Sequence, residues 1–264
     1  MSAASDVTAQ HLGIEELPSV DLPALLAVAE LQRRFDHKYV VPVHRLAELI
    51  ASLASELQVL EVAGRRSTAY TSVYFDTPEL RTYRDHLKQR RRRFKIRTRH
   101  YGEPAAAMLE VKCKTGRGET IKYRWAHPGT TPEHLGPTGR HLVGQALRTE
   151  YGFDLPDGLD RVATTRFDRV TLLDLRAAER ITIDLGLTFD ANDRRIQLGV
   201  GHAVVETKSA RRRGPATAAM ASLGLRPDRV SKYCLGIAAA HDRVRGNPWL
   251  PVLRRLDPVT APVA

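Results

Sequence analysis

The sequence predicts an α+β protein built on an antiparallel sheet that closes or nearly closes on itself, with helices packed outside. Three observations carry this expectation. From residue 58 onward, apolar and polar residues alternate with period two in one run after another, with few helical stretches between them. Within those runs the basic residues gather on one face. Two helical stripes precede the strands, where they can back a sheet instead of linking parallel strands.

In chain order, residues 1–20 are small and polar and are expected to form a flexible N-terminus. Leu22, Leu25, Leu26 and Leu31 recur at helical spacing and predict a helix over 21–34. A short strand, Lys38–Val41, ends at Pro42. Val43, Leu46, Leu49, Ile50, Leu53 and Leu57 trace a second helical stripe. Strands are expected at 58–63, 68–75, 92–101, 106–114, 118–126, 161–174, 178–189 and 202–209. A helix at 78–88 follows the cap-like pair Thr77-Pro78. Further helices are expected at 132–150, 215–223 and 231–243, and Gly116-Arg117-Gly118 reads as a hairpin turn. The boundaries that follow are one domain over 21–245 and an irregular tail over 246–264, where Pro248, Pro251, Pro258 and Pro262 interrupt regular structure.

Strand parity makes the charges informative. Alternate residues of a strand share a face. Lys95, Arg97 and Arg99 therefore lie opposite Phe94, Ile96 and Thr98. Glu110, Lys112 and Lys114 lie opposite Leu109, Val111 and Cys113, and Lys122 and Arg124 lie opposite Ile121, Tyr123 and Trp125. Arg180, Thr182 and Asp184 share a face, as do Val204, Glu206 and Lys208. An amphipathic sheet with its charged side in water would show this pattern too. Solvated faces, however, usually mix signs, and the central faces here are mostly cationic. Turned inward, two such charges about 6 Å apart repel by roughly 3 kcal/mol at an effective dielectric of ~20. A lumen of that kind is built for a multiply charged anion.

The formal net charge of +11 is compatible with nucleic acid, anionic membrane or phosphate compounds. Gln89-Arg90-Arg91-Arg92-Arg93 and Arg211-Arg212-Arg213 read first as solvated turns, then as a funnel for polyanions, and last as RNA contacts. Phe94, Tyr101, Tyr123 and Trp125 are expected on the apolar side, which leaves no stacking platform and argues against nucleic acid. No apolar run approaches the roughly 18 residues of a membrane span, and no secretory leader is evident. Cys113 and Cys234 stand outside any paired motif and read as packing residues, so a reducing cytoplasm is the expected compartment. His37 and His86 read as surface or local packing residues. Asp184 reads either as an internal partner for Arg180 or as a metal ligand.

Six segments, in order, resemble one family. Arg34-Phe35-Asp36-His37-Lys38-Tyr39-Val40 is similar to the opening strand of VTC domains. These are polyphosphate polymerase domains of the triphosphate tunnel metalloenzyme (CYTH-like) superfamily. Val73-Tyr74-Phe75-Asp76-Thr77, Lys95-Ile96-Arg97-Thr98-Arg99, Leu109-Glu110-Val111-Lys112, Val205-Glu206-Thr207-Lys208 and Ser231-Lys232-Tyr233 resemble its later motifs, from about residue 30 to 240. The resemblance implies an eight-stranded antiparallel β-tunnel open at both ends.

It also implies roles. Lys38, Arg97, Arg99, Lys112, Lys122, Arg169 and Arg180 match the tunnel cations that hold a phosphate chain. Lys232, with Ser231 beside it, matches the lysine near the transferred phosphate. Glu206 matches the carboxylate that binds a divalent metal, Mn2+ or Mg2+. Glu206, Arg169 and Lys232 are thus the expected catalytic set. The ExExK opening motif of the hydrolytic relatives is absent, and only its second acid survives, as Asp36. The implied reaction is transfer of the γ-phosphate of ATP onto inorganic polyphosphate. Triphosphate or polyphosphate hydrolysis and polyphosphate binding without turnover stand as alternatives. Because fungal relatives act in a membrane complex, a membrane partner is compatible with a chain that has no span of its own.

Overall fold

The computed structural model of the chain describes residues 12–29, 35–102, 107–127, 131–242 and 244–262. Its centre is an arc of eight antiparallel strands. In spatial order these are β2 (Phe35–Pro42), β11 (His202–Ser209), β9 (Glu179–Ala191), β8 (Asp160–Asp174), β4 (Ser67–Asp76), β5 (Arg93–Tyr101), β6 (Met108–Lys114) and β7 (Thr120–Ala126). The expected strands are all present, most of them within two residues of their predicted ends.

The arc is not sealed by a ladder, because no pairing joins β2 to β7 among the described residues. A loop covers part of the edge of β2 instead: Asp228 donates its amide to the Lys38 carbonyl at 2.6 Å, and its carboxylate accepts from the Val40 amide at 2.9 Å. The sheet also branches. β3 (Leu57–Leu60) pairs with β8, and β1 (Ser19–Val20) pairs in parallel with β3. β10 (Arg194–Gln197) extends β9, and β12 (Val259–Pro262) extends β10.

Seven helices accompany the strands among the described residues: α1 (Leu22–Ala29), α2 (Val43–Ala51), α3 (Arg81–Leu87), α4 (Gly136–Tyr151), α5 (Pro215–Ser222), α6 (Lys232–Ala240) and α7 (Leu250–Leu256). Two apolar clusters lie outside the arc. Leu46, Leu49 and Ile50 of α2 pack with Tyr39, Val41, Ile181, Ile183 and Val205. Val143, Ala146 and Leu147 of α4 pack with Val73, Phe75, Phe94, Ile96, Leu109 and Val111. These are the strand faces opposite the cations, so burying them outside turns the charged faces into the lumen. Each such side chain contributes about 1.5–3 kcal/mol on full burial, and the inward orientation of the charges rests on that.

A third apolar cluster fills part of the interior. Between Arg166 and Asp168 the β8–β9 register shifts, opposite Gly186, whose φ of 59° suits a residue without a side chain. Past this bulge the inner face carries Phe167, Leu187 and Phe189, which pack with Val40, Val204 and the α6 residues Tyr233, Leu235 and Ile237. α6 thus enters the arc and closes the β2–β11–β9–β8 side at its lower end. The expectation of two fully open ends holds only in part.

Several boundaries differ from expectation. The helix predicted over 21–34 is described only to Ala29; positions 30–34, Arg34 among them, lie outside the described residues, as do 106 and 243. The second helix stops at Ala51. α3 starts at Arg81, later than expected: the Thr77 hydroxyl accepts from the Arg81 amide at 3.3 Å, and the Asp76 carboxylate accepts from the amides of Thr77, Thr82 and Tyr83. The N-terminal segment is structured from Leu12, with Leu12, Ile14 and Leu17 buried, and Arg66 donates to the carbonyls of Ile14, Glu15 and Leu17.

The tail expected to be irregular forms α7 and β12. Pro251 sits in the first helical turn, where the missing amide costs nothing. Trp249, Val252, Leu253 and Leu256 are buried. Cys113 and Cys234 are free and buried, as expected. No helix among the described residues is long and apolar enough to cross a membrane.

Gly236 fixes how closely α6 approaches β9, since a Cβ there would come within 2.0 Å of the Phe189 ring. Gly236→Ala is expected to destabilise the fold by about 1–3 kcal/mol. Thermal unfolding should show a melting temperature lower by roughly 3–10 °C. Adding Phe189→Leu, which makes room for the methyl group, should recover part of that loss.

Candidate functional site

A cavity of about 2620 Å³ runs through the arc. All the predicted site residues line it: Lys38 from β2, Arg97 and Arg99 from β5, Lys112 from β6, Lys122 from β7, Arg169 from β8, Arg180 from β9, Glu206 from β11, and Ser231 with Lys232 from the start of α6. Separate strands deliver them to one level because the registers align. Lys38 stands opposite Glu206, Arg169 opposite Asp184, and Arg97 opposite Glu110.

Three carboxylates organise the cations. Glu110, with a side chain only 1% exposed, takes Arg97 at 2.5 Å, Lys122 at 2.6 Å and the more distant Arg124 at 3.7 Å. Asp184 receives a two-pronged contact from Arg169, Nε to Oδ1 at 2.5 Å and Nη2 to Oδ2 at 2.8 Å, and an ion pair from Lys232. Glu206 faces Lys208 at 3.4 Å and Lys38 at 3.9 Å, and both contacts fall on Oε1. Burial opposes ionisation of all three, but the cations outweigh it. Arg97 first holds Glu110 below the usual carboxylate range, Lys38 does the same for Glu206, and Arg169 brings Asp184 to about 2. Asp184 is thus paired internally, but with Arg169 and Lys232, where the sequence names Arg180 as the expected partner.

Elsewhere in the lumen, like charges meet. Lys112 stands opposite both Lys95 and Lys122, and Arg180 stands opposite Lys208. Directly opposed like charges destabilise a sheet. Arg97 is the main reason Lys112 sits well below its ordinary range, followed by burial and Lys38. Burial first lowers Lys95 and Lys232. It also pushes Lys208 down to about 8, with Arg180 adding to the effect and Glu206 opposing it.

Two of the motifs meet at the floor. Asp76 accepts from the Thr82 hydroxyl at 2.7 Å and from the Tyr233 hydroxyl at 2.5 Å, so the end of β4, the start of α3 and the start of α6 share one buried carboxylate. Tyr233 stacks on Tyr74, with centroids 5.0 Å apart, and Arg97 donates to the Tyr74 hydroxyl at 3.4 Å. Ser231 caps α6 by accepting from the Cys234 amide and also accepts from Lys95 Nζ at 2.7 Å.

Sequence reasoning missed Lys95, Lys208, Arg124 and Glu110 as members of the set, although their parity already placed them on the charged faces. It also misplaced Tyr101. That ring continues the odd-numbered face of Lys95, Arg97 and Arg99, lines the cavity, and packs edge-on against Tyr70 at 4.9 Å. His86 makes the expected local contact, to the Thr82 carbonyl at 2.8 Å.

The comparisons with known proteins agree with this geometry. The family model described as VTC domain matches residues 33–241. No curated protein matches. Among solved structures, HpAC1 from Hippeastrum, an adenylyl cyclase candidate described as having a dominant triphosphatase activity, is 13% identical with a TM-score of 0.52, covering 80% of this chain and 98% of that one. An adenylate cyclase candidate from Bacillus halodurans is 13% identical with a TM-score of 0.45, covering 74% and 92%. PH1819 from Pyrococcus horikoshii OT3 is 12% identical with a TM-score of 0.42, covering 78% and 99%. At these identities the likeness to the first of them speaks to the fold, which is the triphosphate tunnel fold.

The lowered lysines give a pH signature. Above about pH 8, Lys208 of the empty protein loses its proton, and an entering polyanion restores it. Tripolyphosphate affinity should therefore fall as pH rises through 8, with proton uptake at pH 8.5 that shrinks at pH 7. Calorimetry in buffers of different ionisation enthalpy measures this, and Lys208→Arg should reduce the uptake. The stability of the empty protein should move the other way, rising with pH over the same window, because the unfolded chain binds more protons there.

Proposed function

Since the chain belongs to the VTC domain family, we propose that it is a phosphotransferase that moves the γ-phosphate of ATP onto a growing inorganic polyphosphate chain. The observation that carries this reading is how the lumen uses its acids. Glu110 and Asp184 are engaged by arginine forks and lysines. Among the other charged residues that line the cavity, cations outnumber carboxylates.

Phosphoryl transfer to a phosphate acceptor suits such a wall. The acceptor is already an anionic nucleophile, and the reaction needs alignment and charge neutralisation more than a general base. Arg97, Arg99 and Lys112 would hold the nucleotide phosphates, with Lys38, Lys122, Arg169 and Arg180 along the chain. Lys232, whose ammonium is aimed by Asp184, would meet the transferring group. Arginine forks bind phosphate oxygens in pairs. Glu206 fits a hard divalent cation: it is ionised, 16% exposed, faces the cavity, and offers carboxylate oxygen. Mn2+ or Mg2+ held by Glu206 would supply positive charge to neutralise the phosphate groups.

The second reading is hydrolysis of triphosphate, favoured by the activity named for the Hippeastrum neighbour. The two separate in one assay. With ATP and Mn2+, long-chain polyphosphate should form on a gel. Rapid loss of added tripolyphosphate without chain growth would instead support hydrolysis, and tight binding without turnover would support a binding module.

Glu206→Gln is expected to abolish metal-dependent turnover while polyphosphate binding persists, and full retained activity would remove Glu206 from its assigned role. Arg97→Ala should weaken ATP and polyphosphate together. Asp184→Asn leaves Arg169 and Lys232 less firmly aimed. It should lower kcat by about 10²-fold, the order of effect expected from small misplacement of reacting groups, with a smaller change in KM and partial rescue by Asp184→Glu.

A further inference from the structure

Seven lysines line the cavity, and six of them have a polar partner. Lys38 and Lys208 face Glu206, Lys122 faces Glu110, and Lys232 faces Asp184. Lys95 donates to the Ser231 hydroxyl, and Lys114 donates to the Thr120 hydroxyl. Lys112 has neither a hydrogen bond nor an ion pair among the described residues, although its side chain is open to the cavity.

Its neighbours are mostly cations. Lys95 of β5 and Lys122 of β7 stand directly opposite it in the ladder. Arg97 of β5 does most to hold the amine unprotonated, followed by enclosure within the walls, Lys38 of β2 and Lys208 of β11, with Glu206 of β11 opposing them. A protonated Lys112 repels every one of these cations. An amine relieved of its proton by its surroundings and bonded to nothing is a nucleophile.

A reagent that reaches this amine has to carry negative charge to enter among the cations, and an electrophilic atom to react. An acyl phosphate has both. Its phosphate half suits the Arg97 guanidinium, which can take two oxygens at once, and its acyl half presents a carbonyl carbon.

We propose that Lys112 is an acylation site for small acyl phosphates, and that its acylation weakens the tunnel's hold on phosphate chains. The Nζ lone pair attacks the carbonyl carbon. The N–C bond forms and the C–O bond to phosphate breaks. The phosphate leaves with that electron pair and takes up the surplus proton of the nitrogen, so the products are an amide at Lys112 and hydrogen phosphate. The amide cannot regain a charge when a polyanion arrives, and the lumen has lost one cation. This rests on the phosphate-binding part of the reading above and not on the transfer reaction.

The test incubates the protein with acetyl phosphate at about pH 8, with and without excess tripolyphosphate, and follows each lysine by peptide mass spectrometry. Lys88, which is exposed and lies outside the cavity, is the reference. Lys112 is expected to be acetylated about 10-fold faster than Lys88 or more, the order that capture of a reagent beside its target gives. Tripolyphosphate should suppress labelling at Lys112 and leave Lys88 unaffected. Equal rates at the two lysines, or fast labelling of Lys112 that tripolyphosphate does not slow, overturn the site. Lys112→Gln, which places an amide at this position, should bind tripolyphosphate about 10-fold more weakly by calorimetry, the order of one lost charged contact; unchanged affinity overturns the claimed effect on phosphate chains. Polyphosphate synthesis by a protein whose Lys112 stays unlabelled overturns the acylation site alone, whereas selective labelling without synthesis supports the site and counts only against the phosphotransferase reading.

Discussion

Cations that face one another across a narrow lumen repel, and the rest of the structure is arranged around that repulsion. The outward faces of the same strands supply the opposing free energy. Leu46, Leu49 and Ile50 on one side and Val143, Ala146 and Leu147 on the other are buried against them. Turning the cations outward would require exposing those clusters. Three carboxylates relieve the worst contacts, each placed on the strand directly opposite, or beside, a cation. They do not relieve all of them. Lys112 in particular is left among Lys95, Lys122 and Arg97. On the proposed reading, an entering polyanion would supply what the fold withholds, and part of its binding free energy would be relief of that repulsion.

The strain is tolerable because the floor is rigid. One buried carboxylate, Asp76, ties the end of β4 to the first turn of α3 and to Tyr233 of α6. The helix then cannot retreat from the lumen without leaving the Tyr233 hydroxyl unsatisfied in an apolar setting, a cost of about 1–3 kcal/mol. Gly236 lets the same helix sit against Phe189. The position of Lys232 is therefore set from behind by packing and from the front by Asp184.

Much of this was legible in the sequence, for a physical reason. Strand parity is rigid, so Lys95, Arg97 and Arg99 had to share a face, and the ordered motifs indicated that the face points inward. Tyr101 shows the cost of setting parity aside: an aromatic was assigned to the core by type, although its position continued the charged face. Other features depend on contacts remote in the chain. Asp228 covering the edge of β2, and Asp76 binding Tyr233 at a separation of 157 residues, leave no local pattern. The tail misled for a different reason. Proline breaks a helix in its interior but starts one well, and four prolines in twenty residues do not say which applies.

The apolar floor also bears on where a phosphoryl group can be transferred. On the β2–β11–β9–β8 side Val230 and Tyr233 line the cavity and pack in one apolar cluster with Val40, Phe167, Leu187 and Val204, a surface that no phosphate would contact without losing its hydration. A chain held by Arg97, Arg99 and Arg169 cannot continue straight past Lys232. The polar lining that remains runs along β6 and β7 toward Lys114 and Thr120. On the phosphotransferase reading, a phosphate chain would bend at the level of Lys232, where Arg169, Lys232 and Glu206 line the cavity. Asp184 is committed to the two cations beside it, which leaves Glu206 as the carboxylate that faces the cavity there.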